Sequence, residues 1–359
     1  MEVFVLAQRL DKVLPLIPEG SACLFTTPQN MRYVSGFTGE GGVLVAKDGK
    51  YVITDFRYTE QAGQQAPDFE AVETGASKNM IACVDVLLKK MGIKKLLIET
   101  NQMSYDQVVS IKEALSDVEI AKNEMDLLSI RAVKDEEEIE ILKKAEAITD
   151  DAFTYLLEKV RPGMTELNVV ALLYKFFLDN GATGFSFNPI VASGENSSLP
   201  HAIAGDRVIR DGDFVTFDIG CRYKGYCSDF TRTIGIGTVD PQLKKIYNIV
   251  LEANMRAIEA IAPGVSGKAV DAVARDYITD NGFGPNFGHS AGHGVGLQIH
   301  ESPRLSTLSK DILQPGMVVT VEPGIYLPGK GGVRIEDVVL VTKDGYELLS
   351  HSAKDLIIL

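Results

Sequence analysis

The chain has 359 residues, 45% of them apolar and 24% charged, the balance of an ordinary globular protein with length enough for two domains. Acidic residues outnumber Lys and Arg by 49 to 36, a formal charge of −13, and no basic block offsets it, which argues against a nucleic-acid partner. No apolar run reaches the about 18 residues of a membrane span, and Met1–Ala7 shows no basic leader or signal-like stretch. Cys23, Cys83, Cys221 and Cys227 lack Cys-x-x-Cys spacing, so neither a disulfide framework nor a zinc knuckle is expected, and the cytosol is the expected compartment.

In the first third, apolar runs at Ala22–Phe25, Gly42–Ala46 and Tyr51–Thr54 predict strands, divided by turn-rich pieces such as Lys47-Asp48-Gly49. A helix over Met80–Met91 ends at Gly92 and leads to a strand at Lys95–Ile98. A helix at Tyr105–Leu115 and a strand at Val118–Ala121 complete a smaller α/β domain, residues 1–124, with the boundary falling near 122–133. In the second domain, 125–359, the pattern Asp135-x-x-Glu138 with Ile139, Ile141, Leu142 and Ala145 behind it predicts a capping box opening an amphipathic helix.

That second domain carries an internal repeat. Gly212–Gly220 (GDFVTFDIG) returns as Gly316–Gly324 (GMVVTVEPG), identical at four of nine positions, with Asp218 replaced by Glu322. Upstream, Pro162-Gly163-Met164-Thr165 is echoed by Pro263-Gly264-Val265-Ser266. Each half therefore reads helix, Pro-Gly turn, helix, then a strand bearing a carboxylate, and two such halves predict one sheet of approximate two-fold symmetry with helices on its outer face.

Asp218 lies in an apolar strand, a costly place for an unpartnered charge. A chain reversal around Tyr223-Lys224 would set it opposite Asp229, and a reversal centred on Gly329 would set Glu322 opposite Glu336. Four acids so paired repel one another unless cations lie among them. A nitrogen ligand can come from Gly288–Glu301, rich in glycine and carrying His289, His293 and His300. Its glycines rule out the helix on which paired zinc-binding histidines sit, and His289 reads as a hydrogen-bonded core residue.

Together, Asp218-Ile-Gly220, Asp229-Phe-Thr231-Arg-Thr233, His293-Gly-Val-Gly296 with His300-Glu301, Glu322-Pro-Gly324-Ile-Tyr326 and Arg334-Ile-Glu336-Asp337 resemble the pita-bread metallopeptidases, in their Xaa-Pro dipeptidase (prolidase) and aminopeptidase P branch. The resemblance implies an α+β fold: a C-terminal pita-bread domain with a pseudo-two-fold repeat behind an N-terminal α/β domain. It implies five metal ligands, Asp218, Asp229, His293, Glu322 and Glu336, holding two divalent ions. So oxygen-rich a set favours Mn²⁺ or Co²⁺, with Zn²⁺ or Fe²⁺ as alternatives. Asp229 and Glu336 would bridge the ions, Asp218 complete one, and His293 with Glu322 complete the other.

The reaction implied is hydrolysis of an Xaa-Pro peptide bond by a metal-bridged hydroxide, with Glu322 taking and delivering the proton. His201 and His300 match histidines lining the family's substrate site, suited to the oxyanion or to steering the proline. Arg304 stands where prolidases grip the free carboxylate of a C-terminal proline. Arg334, counted with the substrate-binding residues, shares a strand face with Glu336 and is expected to hold the ligand carboxylates in place. The resemblance also implies a homodimer. The rival readings are an Xaa-Pro aminopeptidase acting on longer peptides and a binding module that has lost catalysis; the intact ligand set speaks against the module.

Overall fold

The structure, a computed structural model, describes residues 9–359; the stretch Met1–Ala7 lies outside them. The chain divides into two compact units, one reaching Leu127 and the other beginning at Leu128.

In the first unit, strands β1 (Ser21–Phe25), β2 (Gly42–Ala46), β3 (Gly49–Thr54), β4 (Glu70–Glu73), β5 (Lys95–Ile98) and β6 (Glu119–Lys122) form one mixed sheet in the order β4-β3-β2-β1-β5-β6. Helices α1 (Pro28–Ser35), α2 (Thr59–Gln65), α3 (Met80–Met91) and α4 (Tyr105–Ala114) connect them. Asn79 caps the start of α3, left-handed Gly92 ends it, and Ser104 with Gln107 closes a capping box on α4. Leu24, Leu44, Ile53, Leu88, Leu96 and Ile98 pack into its core. The sequence reading anticipated five of these strands and two of the helices; α1, α2 and β4 are additional. Strand β4 has three exposed residues and one half-buried, with a glutamate at each end, leaving no apolar run to reveal it.

The second unit begins within a short helix, α5 (Leu127–Ala132), and continues into α6 (Glu136–Lys159), whose start carries the expected capping box between Asp135 and Glu138. Then come α7 (Glu166–Asp179), β7 (Ile190–Ser193), β8 (Phe214–Ile219), a small ribbon of β9 (Arg222–Tyr223) and β10 (Tyr226–Cys227), and β11 (Phe230–Gly235). The second half runs α8 (Pro241–Glu259), α9 (Gly267–Asp280), β12 (Gly292–Gly294), β13 (Glu301–Leu305), β14 (Val318–Val321), a ribbon of β15 (Gly324–Leu327) and β16 (Gly331–Arg334), β17 (Asp337–Val341) and β18 (Tyr346–Leu348).

The repeat is real at the level of single hydrogen bonds. Gly163 N–H donates to Ile209 C=O and Ile209 N–H to Met164 C=O; in the second half Gly264 donates to Leu313 and Leu313 to Val265. Gly212 donates to Ile236 as Gly316 donates to Val341, and both glycines sit at φ +89°, a backbone region that favours glycine. Apolar stripes of α6 and α7, including Phe153, Leu156, Leu173 and Phe177, cover Val215, Phe217 and Ile219 of β8. Those of α8 and α9, including Val250, Ala257, Val270 and Ile278, cover Val319 and Val321 of β14. Strand alternation then turns Asp218 away from the first helical layer, and Thr320 and Glu322 away from the second.

Two details differ from the sequence reading. The halves form a three-stranded sheet (β11-β8-β7) and a five-stranded sheet (β13-β12-β14-β17-β18) rather than one; Glu336 N–H to Thr231 C=O (3.1 Å) and Thr233 Oγ1 to Arg334 C=O (3.0 Å) stitch them together. And Asp218 pairs with Thr231, not with Asp229. The turn consists of Lys224 and Gly225, both at positive φ, between the paired Tyr223 and Tyr226, so the register slides by two residues. A two-residue shift keeps side chains on their face, so Asp229 stays on the side of Asp218 as a diagonal neighbour. The second ribbon matches the expectation: Leu327 pairs with Gly331, Gly324 with Arg334 and Val321 with Asp337, bracketing Glu322 opposite Glu336.

Candidate metal centre

A cavity of about 430 Å³ opens in the second unit, and Asp218, Asp229, His293, Glu322 and Glu336 all line it. Asp229 follows the β9–β10 ribbon, His293 is the middle residue of β12, Glu322 leaves β14, and Glu336 lies between β16 and β17. Asp229, His293 and Glu336 are buried, each offering an atom within 4.8 Å of the others. His293 Nε2 is 3.5 Å from Asp229 Oδ2 and 3.4 Å from Glu322 Oε1. Asp218 is drawn aside from this tight set: its Oδ2 accepts from Arg334 Nη2 at 2.5 Å.

The donor set suits divalent cations. The Nδ1 of His293 lies 3.1 Å from Gly294 C=O, so Nδ1 carries the proton and Nε2 turns a lone pair toward two carboxylate oxygens. Burial, then the neighbouring His300 and Arg304, hold its pKa down near 3, so the ring is neutral, as a ligand must be. A lone pair facing carboxylates is repulsive without a positive ion between them. The acids repel one another as well: burial first, then Glu336, Asp218 and Glu322, push Asp229 well up. Burial, then Glu322 and Asp218, do the same to Glu336. Burial raises Glu322 to about 7, with Arg334 pulling the other way. Cations reverse this logic by holding such acids ionised.

The remaining predicted residues divide into rim and wall. His201, His300 and Arg304 are exposed and line the same cavity, with the ring of His300 packed edge-on against His293 at 4.4 Å between centroids. Arg334 lines it too, but its guanidinium is buried and turned on protein acceptors. Nη2 donates to Asp218, Nη1 to Tyr326 Oη (2.8 Å) and to Pro200 C=O (3.4 Å), and Nε to Thr231 Oγ1 (3.3 Å). Phe187, Ile190, Pro200, Ala202, Ile203 and Ile299 supply an apolar wall.

Three contributors carry no role in the sequence reading. Tyr326 Oη accepts from Arg334 and donates to His289 Nε2 (2.9 Å), whose Nδ1 in turn donates to Ser290 C=O. His289 is therefore the hydrogen-bonded residue that the sequence suggests, with its pKa held near 4 by burial and Arg334. Thr231 Oγ1 donates to Glu336 Oε2 at 2.7 Å. Glu146 of α6 is fully buried behind the acids, its Oε1 accepting from Asp229 N–H at 3.0 Å. One signal did exist for Glu146: it breaks the apolar stripe Leu142, Ala145, Ala152, Phe153 of its helix. For Tyr326 the period-two spacing from Glu322 was available.

Comparison with known proteins identifies the family. Residues 140–343 match the model of metallopeptidase family M24, and residues 19–133 that of the creatinase/prolidase N-terminal domain. A solved structure of an Xaa-Pro dipeptidase from Bacillus anthracis superposes with a TM-score of 0.95 at 46% identity, covering 99% of this chain and 100% of the other. That of an X-Pro aminopeptidase from Thermotoga maritima gives 0.91 at 37%, covering 98% and 100%. The Xaa-Pro dipeptidase of Pyrococcus furiosus is 37% identical over 98% of this chain and 99% of its own. The chain thus belongs to metallopeptidase family M24, the matched region preceded by a creatinase/prolidase N-terminal domain.

Proposed function

We propose that this protein is an Xaa-Pro dipeptidase, hydrolysing the bond between any first residue and a C-terminal proline with two divalent ions per chain. The observation that carries the reading is a single cavity whose floor gathers four carboxylates and a neutral imidazole while its rim presents His201, His300 and Arg304. The activity of the Bacillus anthracis and Pyrococcus furiosus relatives, as their names state it, supports the same substrate class.

Asp218, Asp229, His293, Glu322 and Glu336 would hold the ions. Bound there, the ions supply an acidified water and polarise the scissile carbonyl. Glu322, at the cavity surface beside Thr320 Oγ1 (3.3 Å), takes the proton of the attacking water and passes it to the departing proline nitrogen. His201 and His300 face the carbonyl as hydrogen-bond donors to its developing charge. The wall of Phe187, Ile190 and Ile299 receives apolar substrate surface and keeps bulk water away. Arg304 pairs with the free carboxylate, and Arg334 with Tyr326 fixes Asp218.

An oxygen-dominated ligand set supports Mn²⁺ or Co²⁺ ahead of Zn²⁺ or Fe²⁺. Four free, buried cysteines, and no described helix long and apolar enough to cross a membrane, support the cytosol. The homodimer rests on the family resemblance. Cleavage of longer Xaa-Pro peptides is the second reading, favoured by the Thermotoga maritima likeness. The Mn²⁺-reconstituted protein, given an Xaa-Pro dipeptide, an Xaa-Pro-Xaa tripeptide and an Xaa-Ala dipeptide, should cleave the first fastest and the last hardly at all. Faster tripeptide turnover selects the aminopeptidase; no turnover of any of the three sinks the enzyme reading.

A further inference from the structure

Glu166, the first residue of α7, is fully buried, and nothing in the metal centre requires it. Its Oε1 accepts from Ser193 N–H (2.8 Å), Ser193 Oγ (2.8 Å) and Asn196 Nδ2 (3.1 Å). Its Oε2 accepts from Gly205 N–H (3.0 Å) and Asn196 Nδ2 (3.2 Å). These donors belong to the two ends of one segment, residues 193–205, whose middle carries Pro200 and His201. The β15–β16 ribbon holds that segment from its other side: Ser197 Oγ accepts from Gly332 N–H at 2.9 Å, and Pro200 C=O from Arg334. Between these holds His201 stands exposed at the cavity rim, beside the exposed Leu199 and Ile203.

The internal repeat shows that helix formation alone does not call for this side chain. The equivalent position, 101 residues on, is Gly267. Both residues make the same backbone bond, Glu166 N–H to Arg207 C=O (3.1 Å) and Gly267 N–H to Asp311 C=O (2.9 Å). In the second half the place of the side chain is taken by main chain: a Cβ on Gly267 would fall 2.0 Å from the carbonyl oxygen of Arg304. One copy thus reaches out with a carboxylate to the segment of His201. The other has no side chain, and the segment of Arg304 lies directly on the helix.

We propose that Glu166 is the positioning residue for His201, binding both ends of residues 193–205 so that the imidazole is held over the metal cavity. The assignment rests on the reading of His201 as a donor to the substrate in Xaa-Pro hydrolysis. A buried anion at a helix N-terminus with polar hydrogens on both oxygens is a firm anchor. Ordering of this kind serves catalysis through His201 rather than through contact with substrate.

The test is E166Q, which preserves shape. Its amide oxygen can still accept from Ser193, whereas its NH₂ opposes the Gly205 N–H, donor against donor. Mn²⁺-loaded wild type, E166Q, H201A and the double variant are compared by residue-resolved amide exchange, by bound Mn²⁺ per chain, and by kcat and KM on an Xaa-Pro dipeptide. Exchange should quicken within residues 193–205, led by Gly205, while α6, α7 and β8 stay protected and Mn²⁺ content is unchanged. E166Q should lower kcat by about tenfold in the wild-type background and not at all on top of H201A. An equal drop in both backgrounds, or faster exchange spread through that whole half, overturns the assignment. A wild type inert toward every Xaa-Pro dipeptide sinks the proposed activity instead, and the exchange result alone then upholds or overturns the hold of Glu166 on the segment.

Discussion

Arg334 distributes one guanidinium over Asp218, Tyr326, Thr231 and the Pro200 carbonyl. Lysine keeps the charge but offers a single point where a planar fork is needed. R334K should therefore lower kcat on an Xaa-Pro dipeptide by about 10- to 100-fold, the usual effect of losing a partner that orients a metal ligand. An unchanged kcat would mean that Asp218 needs no such support. Arg304 has a different setting, exposed at the rim, and R304A should raise KM for the dipeptide far more than for a tripeptide, whose proline carboxylate is no longer free. Equal effects on both substrates would remove the clamp role. Glu301, beside His300, meets Arg131 and Lys134 (3.3 Å) with all three side chains buried. E301A would remove the carboxylate shared by two buried cations, a loss of about 3–5 kcal/mol that a thermal melt would register as a large fall in Tm. A melt within a degree or two of wild type would show that water reaches the site and solvates them.

At the scale of elements, the strands that carry the acids were legible in the sequence because each alternates apolar and polar residues beside a glycine turn, and because one is a copy of the other. Their register was legible only in part. The ribbon around Gly329 turns through three residues, as its proline and glycines suggest, whereas Lys224-Gly225 makes a tighter turn than the residues around it reveal, and Asp218 faces Thr231 in consequence. Glu146, Tyr326 and Glu166 escaped for another reason. A helix stripe or a strand face can mark such a residue, as for Glu146 and Tyr326, but it does not name the partner, such as Asp229 N–H for Glu146, which lies far along the chain. Gly294, beside His293, lets two main chains meet closely: a Cβ there would lie 2.1 Å from Ser302 C=O, 2.5 Å from its carbon and 2.9 Å from Pro303 N, all main chain. G294A should push β13 from β12, costing about 1–3 kcal/mol and weakening metal binding together. A G294A protein with wild-type stability and metal content would show that β12 and β13 separate without moving His293.

At the scale of the whole second unit, the duplication explains why the centre lies where it does. One half brings Asp218 and Asp229, the other His293, Glu322 and Glu336, so neither half owns a complete site and the ions would bind both together. Ligands that bind only the folded state stabilise it by mass action, about 2.7 kcal/mol for one site at a free concentration a hundred times Kd. Stripping the protein with a chelator should accordingly lower Tm, and Mn²⁺ should restore it in step with activity; a Tm indifferent to metal would separate the ions from the fold. Whether these five side chains gather two ions into one site can be seen by anomalous diffraction from Mn²⁺-soaked crystals. Two anomalous peaks are expected in the cavity with Asp229 and Glu336 between them, His293 and Glu322 on one peak and Asp218 on the other. A single peak elsewhere, or density that touches none of these side chains, would contradict that arrangement.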